Sequence, residues 1–456
     1  MIVLISRLFR AASAGPRTWC ILLAAAALLP HLLPDAALAQ AAPTADQEPA
    51  LTISLQNALE RARDNSQELQ SAGLDVASAR EDRRQAKAAL LPSLGYFNQY
   101  IYTQGNGTDS GVFVSNDGVH VYNSLAEVHE ELFSPQRLAE YRRTAASQAL
   151  AAAKRDVVER GLTATVARDY FAAVAARRRV ENARGAVEEA QRFLTITQQL
   201  ENGGEVAHAD VLKAQLVAEQ SQRDVLEAQL TAERAQIALA VLMFPDFRLG
   251  FNLVDDLASV PPLPAYAEIE RAALETSPEL QAAKAALRQE EYSVSAARSG
   301  YLPSLSLDYF FGINANQFAV HDFEGRNRLG SSVQATLNIP VFDWGSTRSK
   351  VSQADIRRQQ AELALALTRK QLLSNLHGLY AEAQSVGNQL DLLRNSADAA
   401  AESLRLTRLR YQAGEASVLE VVDAQTTLYQ SRNAYDDGLA RYRTALSNIQ
   451  ALIGTL

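Results

Sequence analysis

Two carboxylates three residues apart, Glu420 and Asp423, are the side chains of this sequence most open to chemistry. On a helix that spacing sets both on one face. The stretch that carries them, "YQAGEASVLEVVDAQTTLYQ" from Tyr411, has an echo 210 residues earlier, "ENGGEVAHADVLKAQLVAEQ" from Glu201. In the echo, Asp210 stands for Glu420 and Lys213 for Asp423. Taken alone, two acids on a helix read as a solvated face.

The other reactive side chains form no constellation. His31 lies in the N-terminal apolar run. His120 and His129 lie near Glu127, Glu130 and Glu131, without the HExxH spacing of a metal hydrolase. His208 sits beside Asp210 and reads as part of a solvated turn. No phosphate-cradling glycine loop or nucleophile elbow is visible. Arg142-Arg143 and the run Arg177–Arg179 read as solvated helix faces. The expectation is a protein that is not an enzyme, with no cofactor and no metal site.

Charge and targeting narrow the class further. Arg7, Arg10 and Arg17 precede the apolar run Ile21–Leu33, and Ala37-Leu38-Ala39 is a small-x-small cleavage site. Residues 1–39 read as a secretory signal peptide. Cys20 is the only cysteine and lies in that segment, at the front of the apolar run, so neither a disulfide nor a lipid anchor is expected. Residues 40–50 read as a disordered mature N-terminus. The net charge of −8 argues against a nucleic-acid partner. No later apolar run reaches 18 residues, so no transmembrane helix is expected. A β-barrel stays open, because barrel strands leave a weak hydropathy signal.

The elements that position the acids come in duplicate. "SQELQSA" at Ser66 matches "SPELQAA" at Ser277, and "LPSL" recurs at Leu91 and Leu302, both at an offset of 211. Phe133 in "ELFSPQ" matches Phe342 in "PVFDWG". The chain therefore divides into repeats over 51–244 and 262–456, joined by a Pro-rich linker over 245–261. In each repeat a helical segment leads to a strand pair, about 93–132 and about 304–341. A helical hairpin follows, about 135–244 and about 345–454.

In the second strand pair Leu305, Leu307, Tyr309, Phe311 and Ile313 alternate with Ser306, Asp308, Phe310, Gly312 and Asn314. Val333, Ala335, Leu337 and Ile339 do the same on the return. A period of two marks a sheet apolar on one side. The first pair shows this less cleanly, through Tyr96, Tyr100 and Tyr102, then Tyr122, Ala126 and Val128.

No proline interrupts 136–244 or anything after Pro340. A helix of ~67 residues is about 100 Å long at 1.5 Å per residue. Such helices must pack along one another. Small residues recur every seven positions at Ala214, Ser221, Ala228 and Ala235, and at Ala424, Ser431, Gly438 and Ala445. That is coiled-coil spacing with a close-packed seam. Gly203, Gly204 and Gly414 then mark the far tips, where glycine lets a helix stop and reverse.

Four strands cannot close a membrane barrel, whose minimum is about eight. Either the strand pairs are soluble or several chains share one barrel. The signal peptide, the duplicated "LPSL", "PVFDWG" and the tip stretch from Tyr411, in this order and spacing, resemble the TolC-like outer-membrane efflux family over nearly all of the mature chain. The resemblance implies a mainly α fold with a β-hairpin pair per chain, and a non-acylated homotrimer. Three copies would form a 12-stranded β-barrel continued by a long α-helical barrel. It implies an outer-membrane location, lipid around the barrel, and docking of a periplasmic membrane-fusion (adaptor) protein and an inner-membrane pump at the tips. It further implies a periplasmic constriction formed by Glu420 and Asp423, where crowding should raise carboxylate pKa values. A closing link would join Tyr411 to Asp210. The arginine that often completes that link is replaced by Ala416. The competing expectation is a soluble periplasmic coiled-coil scaffold, in which Leu305, Leu307, Tyr309 and Phe311 would sit in a protein core rather than face lipid.

Overall fold

The computed structural model describes residues 51–102, 120–246, 250–315 and 319–456. The signal peptide, residues 40–50 and the first hairpin loop lie outside the described residues. Every described element belongs to the unit Ala50–Leu456.

One order of elements occurs twice. The first pass runs β1 (Leu51–Ile53), α1 (Leu55–Asn65), α2 (Gln67–Ala88), β2 (Ser93–Tyr102), β3 (His120–Phe133), α3 (Pro135–Asn202) and α4 (His208–Met243). The second runs β4 (Phe251–Leu253), α5 (Tyr266–Thr276), α6 (Pro278–Ser299), β5 (Ser304–Ala315), β6 (Leu329–Asn338), α7 (Ser346–Gln412) and α8 (Val418–Ile453).

β2, β3, β5 and β6 form one antiparallel sheet in that order. The register carries the period of two across all four strands. Leu94, Val128, Tyr309 and Val333 lie in one row, and Tyr96, Ala126, Phe311 and Ser331 in another on the same face. The opposite face carries the row Ser93, His129, Asp308 and Gln334. There His129 Nδ1 meets Asp308 Oδ1 at 2.5 Å and joins the two repeats. Tyr309, Phe311, Val333 and Leu337 are exposed rather than packed in a core. Among the described residues β2 and β6 are the open edges, and every residue of both is exposed.

Long helices follow because nothing in them breaks the ladder. Ser134 caps α3 by accepting from the Arg137 N–H, and Pro135 occupies the first turn, where its missing N–H does no harm. α3 has 68 residues and α7 has 67. α3 packs along α4, α7 along α8, and α3 along α8, so the two hairpins lie side by side. The seam fills as the spacing predicts. Ala214, Ala228, Ala424 and Gly438 are buried, and Ser221 and Ser431 are half-buried. At Gly438 a Cβ would sit 2.8 Å from Leu393 Cδ1, so a larger residue there would require the Leu393 side chain to shift.

The linker is structured where the sequence showed no period. β4 lies within it and pairs in parallel with β1, Ile53 opposite Leu253. Tyr170, wholly buried on α3, donates its hydroxyl to Val254 O at 2.8 Å and Ile53 O at 3.3 Å. Arg177–Arg179 each have a fixed partner; Arg177 stays exposed, as expected of a solvated face, while Arg178 and Arg179 are half-buried. Arg177 donates to Leu253 O at 2.9 Å. Arg178 bridges Asp255 (2.6 and 2.8 Å) and Asp436 (3.0 Å), while Arg179 reaches Asp437 at 2.7 Å. Arg443 holds Asp256 at 2.5 Å and stacks over Phe171. A run of like charges is legible in sequence, but its partners, about 80 and 260 residues away, are not.

This strap predicts an acid sensitivity. Burial alone would raise the Asp255 carboxyl, but the hydrogen bonds and charge of Arg178 and the Leu257 N–H outweigh it and hold it below the usual range. A lowered folded pKa contributes stability that is complete above the ordinary aspartate value, about 3.9. It is lost as pH falls through the folded value. Thermal unfolding followed by circular dichroism should therefore show Tm falling below about pH 4, and Arg178→Gln should flatten that part of the curve.

Candidate gate at the helical tips

Both hairpin turns are built alike. After α3, Gly204 takes φ +75°, its N–H bonds Glu201 O at 2.8 Å, and the Glu205 N–H bonds Leu200 O at 2.9 Å. After α7, Gly414 takes φ +73°, its N–H bonds Tyr411 O at 3.1 Å, and the Glu415 N–H bonds Arg410 O at 2.8 Å. These paired bonds satisfy the last carbonyls of each helix. The reversal needs one glycine per turn. Gly203 is an ordinary right-handed cap residue with φ −75°. Gly204→Ala and Gly414→Ala should each destabilise by about 1 kcal/mol in chemical denaturation, and Gly203→Ala should be close to neutral.

The second helix of each hairpin starts differently. Ser417 caps α8 reciprocally: its hydroxyl accepts from the Glu420 N–H, and the Glu420 carboxylate accepts from the Ser417 N–H at 3.0 Å. Arg410 also reaches Glu420, at 3.5 Å. These bonds, the backbone one first, hold the Glu420 carboxyl below its usual range. Within one chain the shift is thus opposite to the rise expected from crowding. Glu420 and Asp423 are both exposed one turn above the tip, and Asp210 is half-buried. α4 starts at Ala207 without a side-chain cap. His208 instead pairs with Glu201 across the first turn at 2.7 Å.

Near the tips Tyr411 packs between the two hairpins. It is buried, and its ring meets Phe193 of α3 edge-on at a centroid distance of 5.0 Å. Its hydroxyl donates to Thr197 Oγ1 at 3.4 Å. The expected partner, Asp210, is a charge neighbour that joins burial in raising the phenol, but it is not hydrogen-bonded to it. Ala214, Leu404, Val418, Val421 and Leu428 surround this cluster. One turn further from the tip, Arg408 of α7 pairs with Glu189 of α3 at 2.9 Å. Gln425 of α8 donates to Glu189 O at 3.4 Å. The Arg408–Glu189 pair is a polar link between the two hairpins, whereas Ala416 offers none. The sequence held no signal for it, since both residues lie on faces dense with charge.

Among the described residues no group of three or more metal-ligating side chains comes together. What the tips offer is a pair of mutually clamped hairpins with exposed acids beside the clamp.

Comparison with known proteins places the chain in a family. The family described as outer membrane efflux protein matches residues 58–243 and 270–455, two segments that take in both hairpins. The chain belongs to that family. Members are channels of the outer membrane, and the efflux protein fold accounts for both the paired long helices and the one-sided sheet. This efflux protein is 25% identical over 415 residues to outer membrane protein OprJ of Pseudomonas aeruginosa, covering 88% of this chain and 84% of the other. It is 24% identical over 420 residues to the alkaline protease secretion protein AprF of the same species, covering 90% and 86%. The solved structure of VceC from Vibrio cholerae superposes with a TM-score of 0.73 at 20% identity, covering 87% of this chain and 95% of that one. That likeness speaks for the fold alone.

Proposed function

We propose that three copies of this chain form the outer-membrane duct of a tripartite efflux or type I secretion system. The β-sheets join as a 12-stranded barrel, and the helices continue it as a tube across the periplasm. The observation that carries the proposal is the four-stranded sheet with two open, fully exposed edges and an exposed apolar face. An open edge in lipid leaves backbone groups unpaired, each at several kcal/mol, so the edges must close on other copies. A soluble scaffold would need the face containing Tyr309, Phe311, Val333 and Leu337 covered within the chain.

The helix tips are the gate and the docking point. Gly203, Gly204 and Gly414 form the turns offered to a membrane-fusion adaptor, which connects the duct to an inner-membrane pump. Three pairs of Glu420 and Asp423 ring the constriction and favour cations. Tyr411 and the Arg408–Glu189 pair hold the hairpins shut. The similarity to both OprJ and AprF supports an export role without choosing between small molecules and proteins.

Purified protein in a planar bilayer tests the gate. The wild type should pass small currents with a preference for K⁺ over Cl⁻. Glu420→Gln with Asp423→Asn should cut that preference severalfold. An unchanged reversal potential in a salt gradient would remove the acids from the pore.

A further inference from the structure

The open edges carry their own pairing instructions. The contact between the two repeats inside one chain, β3 against β5, shows how repeat ends meet. β3 corresponds to β6 at an offset of 209, since Val128 pairs with Leu94, and Leu337 with Leu305, within their hairpins. The match of Phe133 with Phe342 gives the same offset. β5 corresponds to β2 at an offset of 211, from the repeated "LPSL". The inner seam pairs Glu130 with Leu307, Val128 with Tyr309, Ala126 with Phe311 and Ser124 with Ile313.

Carrying those offsets over, we infer that β6 of one copy, with the residue just after it, pairs antiparallel with β2 of a second copy in a single register: Ile339 opposite Tyr96, Leu337 opposite Asn98, Ala335 opposite Tyr100, and Val333 opposite Tyr102. This rests on the shared-barrel reading and fixes what that reading leaves open. Parity supports the register independently. A slip of one residue would set an apolar face against a polar one. Here Val333, Ala335, Leu337 and Ile339 meet the face of β2 that bears Leu94, Tyr96, Tyr100 and Tyr102, the same face the intrachain register gives both strands.

The inner seam also contains an irregularity between Glu131 and Phe133, after which Phe133 pairs with Leu305. Its counterpart sets Pro340 against Gly95 and Phe342 against Leu94. Proline has no N–H to donate and is confined to edges and bulges, so it fits an irregular position. Phe342 and Leu94 are 73% and 79% exposed in the single chain, and this pairing covers both.

Disulfide trapping tests the register, because Cys20 is the only cysteine and lies ahead of residue 40. Two double variants of the full chain are made: Ala335→Cys with Tyr100→Cys on one face, and Gln334→Cys with Ile101→Cys on the other. Between them they sample both kinds of antiparallel pair. Mild oxidation of outer-membrane fractions should convert at least one of them to a covalent trimer on non-reducing gels. The shifted variant, Ala335→Cys with Asn98→Cys, should remain at monomer mass. Linking in the shifted variant alone overturns the register and keeps the shared barrel. No linking in any variant, in protein that is a trimer by light scattering in detergent, also overturns the register. Protein that is monomeric in detergent, wild type included, removes the shared barrel itself.

Discussion

Tyr170→Ala is expected to lower stability by about 3–5 kcal/mol, the range for emptying a buried aromatic site. Few positions join so many elements. The ring is wholly buried beside Phe171 and belongs to the cluster with Ile53, Leu239, Met243 and Leu257. Its hydroxyl is the hydrogen-bond donor that ties α3 to both β1 and the end of β4. Its loss leaves a cavity and takes the hydroxyl donor from Val254 O, while Ile53 O keeps its bond from the Val254 N–H at 3.0 Å. Tyr170→Phe removes only the hydroxyl and should cost about 1 kcal/mol. Urea titration of the two variants separates packing from hydrogen bonding. Hydrogen exchange should show residues 51–53 and 251–254 opening first in Tyr170→Ala. A loss below about 1 kcal/mol for the alanine variant would mean that the site collapses around the gap.

Tyr411→Ala combined with Arg408→Ala should raise the closed-state conductance at least tenfold in a planar bilayer. The ring of Tyr411 packs between the hairpins against Phe193, and the Arg408–Glu189 pair lies one turn away. The ion pair is about 30% exposed on each side, which keeps its share at roughly 1 kcal/mol or less. The buried ring carries more, in the range of several kcal/mol for an aromatic removed from a core. Only the part that favours the closed arrangement shifts the gate, and about 1.4 kcal/mol of it is a tenfold change. Arg408→Ala alone should therefore act weakly and Tyr411→Ala strongly. Tyr411→Phe with Asp210→Ala should change little, because the hydroxyl bond is long and Asp210 is not bonded to the ring. A double alanine variant that conducts like the wild type would separate this cluster from gating.

Periodic features were legible in the sequence and long-range polar ones were not. The proline-free stretch after Pro340 reads as long helix because nothing in it interrupts the backbone ladder, and α7 runs unbroken over Ser346–Gln412. The alternation from Leu305 to Ile313 reads as a one-sided strand because side chains on a pleated strand alternate by geometry. Seven-residue spacing located Ala214, Ala424 and Gly438 in the seam for the same reason. By contrast, β4 has only three residues, too short to show a period, and it forms because β1 lies beside it. Arg178 and Arg408 could not be told from solvent-facing neighbours, since their partners are fixed only when α3, the linker and the second hairpin meet. At the tips the glycines showed that a turn exists. That Gly204, and not Gly203, takes the left-handed angle depends on where the last helical bond falls.

Copies of this chain must complete one another if its open sheet is to sit in lipid. Light scattering of the detergent-purified mature protein, corrected for bound detergent, tests this most directly. The expected result is three chains per particle, extracted from the outer membrane and stable on dilution. A single chain per particle that stays soluble without detergent would contradict it.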